Sequence, residues 1–523
     1  MTPAGSPPPQ TARAADTAPA ATQQRALLSA ILIGLATGSL AYLATRDRLT
    51  VTNDEGIYLI SGLSVFRGAV PYRDFFAITG PGNFWLLGAI FRMAGVSLRT
   101  AHLLVACDLG VLTALAYWLA SRLASWRTAL GCALLCSALF LSNPTYAPLN
   151  HRWDSSTFAL ASVALAVAAV QFSSRTAACL AGIIGMLAAW ITPPVGLIAL
   201  VVAPWLWLRG KPRLLGPFHA AGAALGALLP AAILNAQGGL GPMLHALFWN
   251  AAHYSAANQV AYGFFFGGPA ALFAGVHGVE WLPRILLALP FLLPALLPPL
   301  VAAAWLPAWR APKSLEAFLL LCGLALVASN YPRWDLLHLL YISPVFLILG
   351  AVWLDRHTSG LCGMLLFLAF FLPAGMMCLQ NLSGGSETTV ATPVGRVQVS
   401  ESNAQAVRMS VARIRPGDSL FVFPYEPVFY FLTGARNPTR YFWLQPGMMS
   451  DQDERTAYAE LNANPPDWIL YRDIPPAEYL RIWPGTDPAR LRLSLIEDFI
   501  RTRYVACDLA RGGDGERQLL KRR

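Results

Sequence analysis

The chain has 523 residues, of which 55% are hydrophobic and only 13% charged, with a formal net charge of +10. Soluble proteins carry about a quarter charged residues, and a soluble fold of this length could not hide so much apolar surface, so lipid is the solvent for much of it. The cations do not point to nucleic acid, because they punctuate apolar runs as flanking anchors of membrane helices do.

Acidic residues divide the chain. Of 28 Asp and Glu, 11 lie in the first 381 positions and 17 after them. The expected organisation is a disordered cytoplasmic N-terminus (1–25), a transmembrane body (26–380) and a water-soluble tail (381–523).

Residues 1–25 are rich in Pro, Ala and Thr, a composition that buries too little to fold. The apolar run from Ala26 to Thr45 is too long for a signal-peptide core and reads as an uncleaved first span. Further apolar runs follow at 100–120, 128–143, 156–172, 177–191, 193–208, 214–235, 285–306, 315–329, 336–354 and 359–378. The short run 81–95 opens with Gly80-Pro81-Gly82 and reads as an interfacial helix. With it left out, the loops carrying Arg122/Arg127, Arg175, Arg209/Lys211/Arg213, Arg310/Lys313 and Arg356 share one side with Arg13 and Arg25. The opposite short loops carry Arg152, Arg284 and Arg333. This bias predicts an α-helical polytopic protein of the plasma (inner) membrane with eleven spans, N-terminus cytoplasmic and tail extracytoplasmic. A hairpin within the Pro/Gly-rich stretch 262–283 would make thirteen.

The tail reads as a small α/β domain. Ser419–Phe423, Trp468–Tyr471 and Tyr504–Cys507 are strand-like, while Pro427–Thr433 and Asp453–Asn462 have helical character. Seven of eight cysteines fall in apolar runs, so no disulfide framework or zinc site is readable.

Three polar clusters fall on the predicted outer side. Asp54 and Glu55 follow the first span, ahead of an apolar stretch from Tyr58 to Phe66 suited to a surface helix. A carboxylate at that depth is partly desolvated and can serve as a general base; the plain alternative is a capped helix N-terminus. The second loop holds His151, Arg152 and Asp154, where Asp154 again competes with a helix cap. The third holds Arg333, Asp335 and His338. A guanidinium and an imidazole at headgroup level suit a phosphate, with Asp335 orienting either one; a snorkelling Arg and a capping Asp are the plain alternative. Asp108 is the lone acid deep in a span, and a transporter would use such a residue.

Asp54-Glu55, then Gly68-Ala69-Val70-Pro71-Tyr72-Arg73-Asp74, then Gly80-Pro81, resemble the first outer loop of GT-C glycosyltransferases. The likeness is closest to the bacterial branch of lipid A aminoarabinose transferase and protein mannosyltransferase-like enzymes. It implies a polyprenyl-phosphate sugar donor and a lipid, glycan or protein acceptor of the envelope. It also implies an inverting transfer with Asp54 as base, Asp154 as the second-loop acid, and Arg333 and His338 on the lipid phosphate. Tyr58, Tyr72, Arg73, His151 and Arg152 are further expected substrate contacts. Where many relatives have Lys before the Gly-Pro, this chain has Thr79, so the cationic role passes to Arg73 or Arg333, or the donor differs. Glu55 and Asp154 would position acceptor, donor sugar or a divalent cation, although no tight metal ligand set is readable. Asp451-Gln452-Asp453 mimics a nucleotide-sugar motif but lies in a charged helix on the wrong side. A lipid-linked sugar transporter and a non-catalytic envelope assembly protein are the competing readings.

Overall fold

The computed structural model describes residues 20–50, 53–209, 214–265, 268, 272–384, 387–512 and 515–523. Residues 1–19, Thr52, Lys211, Arg213 and parts of the 262–283 stretch lie outside these, as do the expectations placed on them.

Eleven apolar helices fall on the eleven predicted runs. They are α1 (Ala20–Thr45), α4 (Leu98–Ala120), α5 (Trp126–Leu141), α6 (His151–Gln171), α7 (Arg175–Ile191), α8 (Leu197–Arg209), α9 (Leu215–Ala236), α11 (Trp281–Ala304), α12 (Leu315–Ser329), α13 (Leu336–His357) and α14 (Gly360–Leu382). Seven are long and apolar enough to cross a membrane and four are shorter. The first begins before Ala26, taking in residues expected to be irregular. The described residues of 262–283 form turns, isolated helical positions, one short 3-10 segment and the start of α11, with no membrane-length hairpin among them.

Between α1 and α4 lie two short helices, α2 (Asp54–Phe66) and α3 (Gly82–Ala94), packed on each other. Gly62 and Gly88 set that packing: a Cβ on either would meet Leu87 or Val65 inside 3 Å. Gly80 rests against the carbonyl of Trp190 at the end of α7, where a Cβ would lie 2.1 Å from it. The loop returns to the end of the bundle from which it left. Glu55, just past α1, bonds His102 in the first turns of α4, so α3 cannot cross between them.

Two ends of the bundle can therefore be told apart. At one, Arg48 after α1 pairs with Glu387 and donates to Asn381, whose amide donates to the Leu141 carbonyl closing α5. At the other, Thr128 opening α5 donates to Asp355 near the end of α13, and Arg356 pairs with Glu316 opening α12 while donating to Leu123 O. The loops carrying Arg122/Arg127 and Arg356 meet at that second end, together with the start of α12 that follows Arg310/Lys313.

The tail sits on the first end. A hairpin, β1 (Glu387–Thr392) and β2 (Gly395–Ser400), is extended by chain next to α1: Leu49 N donates to Gln398 O at 2.8 Å. A four-stranded sheet follows in the order β3 (Leu420–Phe423), β4 (Trp468–Arg472), β6 (Gly515–Arg522), β5 (Tyr504–Gly512); β3–β4 is parallel and the other pairs antiparallel. The fully buried Leu-Phe-Val-Phe run of β3 fits a strand covered on both faces. Five helices complete the tail: α15 (Glu401–Arg413), α16 (Val428–Thr433), α17 (Asp451–Ala463), α18 (Pro476–Ile482) and α19 (Ser494–Arg503). Asp453 closes a capping box with Ser450 and accepts from Tyr441, so the Asp-Gln-Asp triplet is a helix start, as its charged setting suggested.

One further helix, α10 (Leu240–Ala257), occupies the loop after α9 on the tail side. Its aromatic and histidine content gives no clean sequence period, which is why the sequence did not announce it.

Candidate active site

Asp54 and Glu55 are neighbours in the first turn of α2, yet their carboxylates have separate partners. Asn53 is the N-cap and its side chain makes no cap bond, so Asp54 is not the capping residue. Asp54 Oδ1 accepts from the Tyr425 hydroxyl of the tail at 2.6 Å, and Oδ2 has no protein partner among the described residues. Glu55 is fully buried. Its Oε1 accepts from Leu149 N (2.8 Å) and faces His102 Nε2 (3.1 Å), while Oε2 accepts from Thr50 N (3.1 Å). Glu55 thus ties the first loop to α4 and to the second loop, which a buried carboxylate can do because each of its oxygens accepts from a backbone amide.

Around Asp54 the structure gathers a ring of tyrosines. Tyr58 lies one turn along α2, Tyr254 comes from α10, Tyr341 from α13 and Tyr425 from the tail. Burial, then the Asp54 charge, pushes the Tyr58 and Tyr425 hydroxyls well above the usual phenol range. Burial raises Tyr254 to about 12, with Arg333 and Arg152 pulling it down and Asp54 pushing it up. All three hydroxyls therefore stay protonated at neutral pH and can donate. Tyr58 bonds His151 Nδ1 at 2.6 Å, which holds the imidazole beside it.

The second loop folds as its sequence requires. Asn150 caps α6 by accepting from Arg152 N, leaving Asp154 free of that role. Asp154 is instead buried, accepts from the Asn83 amide, and lies close enough to Asp108 for the two carboxyls to interact. Asp108 therefore belongs to this buried cluster and does not stand alone in a span. Arg152 donates to Asn330 through Nη1 at 3.1 Å, and its buried Nε has no partner among the described residues. The same holds for the Tyr341 hydroxyl, on a ring packed edge-on to Trp153. Two buried donors without acceptors, within the tyrosine cluster around Asp54, are the sort of exception that calls for a ligand.

The third cluster is more occupied. Asp335 caps α13, accepting from His338 N, and also from Arg333 Nε (2.6 Å) and His338 Nδ1 (2.7 Å). Burial opposes its charge, but His338 and Arg333 override it and hold the carboxyl well below the usual range. The remaining guanidinium nitrogens of Arg333 donate to Asn258 Oδ1 and to Ile482 O of the tail. Arg333 is thus a clamp between α10, α13 and the tail. Among the described residues, His338 Nε2 makes no hydrogen bond to the protein.

Tyr72 and Arg73 are not part of this centre. Tyr72 is buried at positive φ, with its hydroxyl on the Thr79 carbonyl, and it braces the loop before α3. Arg73 pairs with Asp74 and donates to Gln237 O in a half-exposed position. Among the described residues no group of three metal-ligating side chains occurs, and Asp54 and Glu55 diverge too far to act as a joint pair.

Tyr254, Tyr341, Tyr425 and Asn83 were missed by sequence reasoning. Each is a common residue in an apolar or loop setting, and only the fold brings it to Asp54 or Asp154.

The fold is that of the GT-C membrane glycosyltransferases. No protein-family model matches the chain, and a search of curated proteins finds no match. Among solved structures, ArnT from Cupriavidus metallidurans bound to undecaprenyl phosphate aligns with TM-score 0.54 at 13% identity, over 96% of this chain and 98% of that one. The archaeal oligosaccharyltransferase AglB from Archaeoglobus fulgidus, in complex with an inhibitory peptide and a dolichol-phosphate, aligns with TM-score 0.54 at 12% identity, over 90% and 72%. The mycobacterial arabinofuranosyltransferase AftD aligns with TM-score 0.50 at 12% identity, over 97% of this chain and 40% of that one.

Proposed function

We propose that the chain is a glycosyltransferase that moves a sugar from a polyprenyl-phosphate donor to an acceptor hydroxyl at the extracytoplasmic face of the plasma membrane. The observation that carries this reading is the pairing, in one tyrosine-walled site, of a carboxylate with a free oxygen (Asp54) and a buried guanidinium with a free nitrogen (Arg152). A base and an anion-binding group are the two things the reaction needs, and nucleotide sugars are absent outside the cytoplasm.

Asp54 takes the proton of the acceptor hydroxyl as its oxygen attacks the anomeric carbon. The bond from that carbon to the phosphate oxygen breaks, and its electron pair leaves on polyprenyl phosphate. Attack and departure on opposite faces invert the anomeric centre. Arg152 and the Tyr341 hydroxyl offer unspent donors to the departing phosphate, an electrostatic contribution of a few kcal/mol at most per donor. On this reading the phosphate role passes from Arg333, each of whose nitrogens already has a protein partner, to Arg152. Asp154 and Glu55 act by holding the first loop, α3 and α6 in register. The acceptor is an envelope lipid, glycan or protein, and the K/R bias puts the cation-rich end in the cytoplasm.

The test is transfer of labelled sugar from a panel of undecaprenyl-phosphate-linked hexoses, pentoses and aminopentoses into envelope extract. Asp54→Asn protein that folds normally yet loses about 10²–10⁴-fold in rate is the expected result. Folded Asp54→Asn protein with near-normal transfer overturns the mechanism.

A further inference from the structure

Resting on the transfer reaction above, we infer that Tyr425 of the tail is a positioning residue for Asp54, so that the active site is completed only by the C-terminal domain. Three observations converge on it. The Tyr425 hydroxyl donates to Asp54 Oδ1 at 2.6 Å, the one hydrogen bond to that side chain found among the described residues. The tail is pressed onto α2 at that point: a Cβ on Gly56 would lie 2.3 Å from Val428 N, so the glycine permits the approach. The Tyr425 ring is also fixed by its own domain. It stands edge-on to Trp443 (5.7 Å, 75°) and Trp483 (6.0 Å, 77°). The next residue, Glu426, is gripped by Arg517 through both oxygens (2.6 and 2.8 Å), with Arg472 at 3.5 Å, all buried.

That network explains why the hydroxyl stays in place. A buried ion pair adds little net stability, but removing one member strands the other charge, so the chain there has one well-defined arrangement. Asp54 is consequently leashed by one oxygen while the other is left open toward the site. The groups facing it are Tyr58 from α2, Tyr254 from α10, Tyr341 from α13 and Tyr425; Arg152 from α6 stands across the Tyr58 hydroxyl, and Arg333 with Asp335 across Tyr254. The Glu55 carboxylate is turned into the bundle. A hydrogen bond given to a carboxylate favours its ionised form, the form a base must have.

The experiment compares wild-type, Tyr425→Phe and Asp54→Asn full-length protein in detergent. Phe keeps the ring packing and removes only the hydroxyl, so the fold should melt as the wild type does. With the donor that proves active in the panel, Tyr425→Phe should lower kcat at neutral pH by about 10-fold and leave the donor KM within about 2-fold. A loss of kcat at unchanged melting point and unchanged donor KM is the split that a merely structural contact would not give. A wild-type kcat in Tyr425→Phe, with Asp54→Asn inactive, overturns the positioning role and leaves the transfer reading intact. An active, folded Asp54→Asn protein overturns both.

Discussion

Replacing Glu55 by Gln separates the two adjacent acids by what they do. The carboxylate is fully buried: Oε1 accepts from Leu149 N beside His102 Nε2, and Oε2 accepts from Thr50 N. Gln has one carbonyl oxygen and one NH2. If the carbonyl keeps Leu149 N, the NH2 is driven against Thr50 N, donor facing donor. If it turns over, Leu149 N is stranded instead. Each buried donor left without an acceptor costs about 1–3 kcal/mol, and the surviving bond loses its charge assistance. The substitution should therefore destabilise the protein by about 2–5 kcal/mol. Asp54→Asn keeps a carbonyl for the single Tyr425 bond and should cost less than about 1 kcal/mol. Thermal melting in detergent beside transfer assays reads the contrast: Glu55→Gln should melt well below wild type, with activity in its folded fraction, and Asp54→Asn should melt normally without activity. Glu55→Gln protein that melts as wild type and is inactive would refute this reasoning and return Glu55 to the chemistry.

Other expectations follow from the same contacts. Arg152→Ala should weaken use of the polyprenyl-phosphate donor by about 10–100-fold, and Arg152→Lys should restore only part, because the planar fork is lost; donor-concentration kinetics decide it. Arg333→Ala frees Ile482 O and Asn258, so limited proteolysis should cut the tail faster than in wild type, and an unchanged cleavage rate would remove Arg333 from the clamp. Gly56→Ala should be poorly tolerated, with a lower melting point and slower transfer, since the backbone of Val428 has no room to yield. For the orientation, single cysteines at exposed Thr145 and Ser125, in a cysteine-free background, mark the two ends of the bundle. An impermeant thiol reagent added outside should label Thr145→Cys only, and the reverse pattern would invert the assigned sides.

Much of the architecture was legible because lipid leaves the chain few choices. An apolar run must satisfy its backbone internally, so a hydropathy pattern becomes a helix with little competition. The choice at 81–95 could be made from cations on other loops, and the Glu55–His102 bond shows independently that this segment does not cross. The site was legible in its charges and not in its neutral groups. Asp54, Arg152, Asp335 and His338 stood out because so few charges serve the membrane body. Tyr254 and Tyr425 are ordinary aromatics in sequence, nearly two hundred residues apart and farther still from Asp54. The contacts of Arg333 were hidden for a related reason. Its type suits a phosphate, but sequence cannot show that Asp335, Asn258 and Ile482 each accept from it.

The divergence of Asp54 and Glu55 follows from helix geometry. Successive residues in an α-helix point about 100° apart, so two adjacent acids at a helix start cannot face the same partner. Both gain from the N-terminal end of the helix dipole, which explains why a pair is tolerated there. One side of α2 packs into the bundle, where Glu55 finds His102 and Leu149 N. The other is covered by the tail through Gly56 and Val428, where Asp54 finds Tyr425. An acid turned inward with both oxygens accepting from backbone amides is fixed and cannot accept a proton from a substrate. An acid turned outward with one lobe open can. The same two-residue motif thus supplies the brace that fixes the first loop and the base that the braced loop presents, and exchanging the two residues should leave a folded chain without either function.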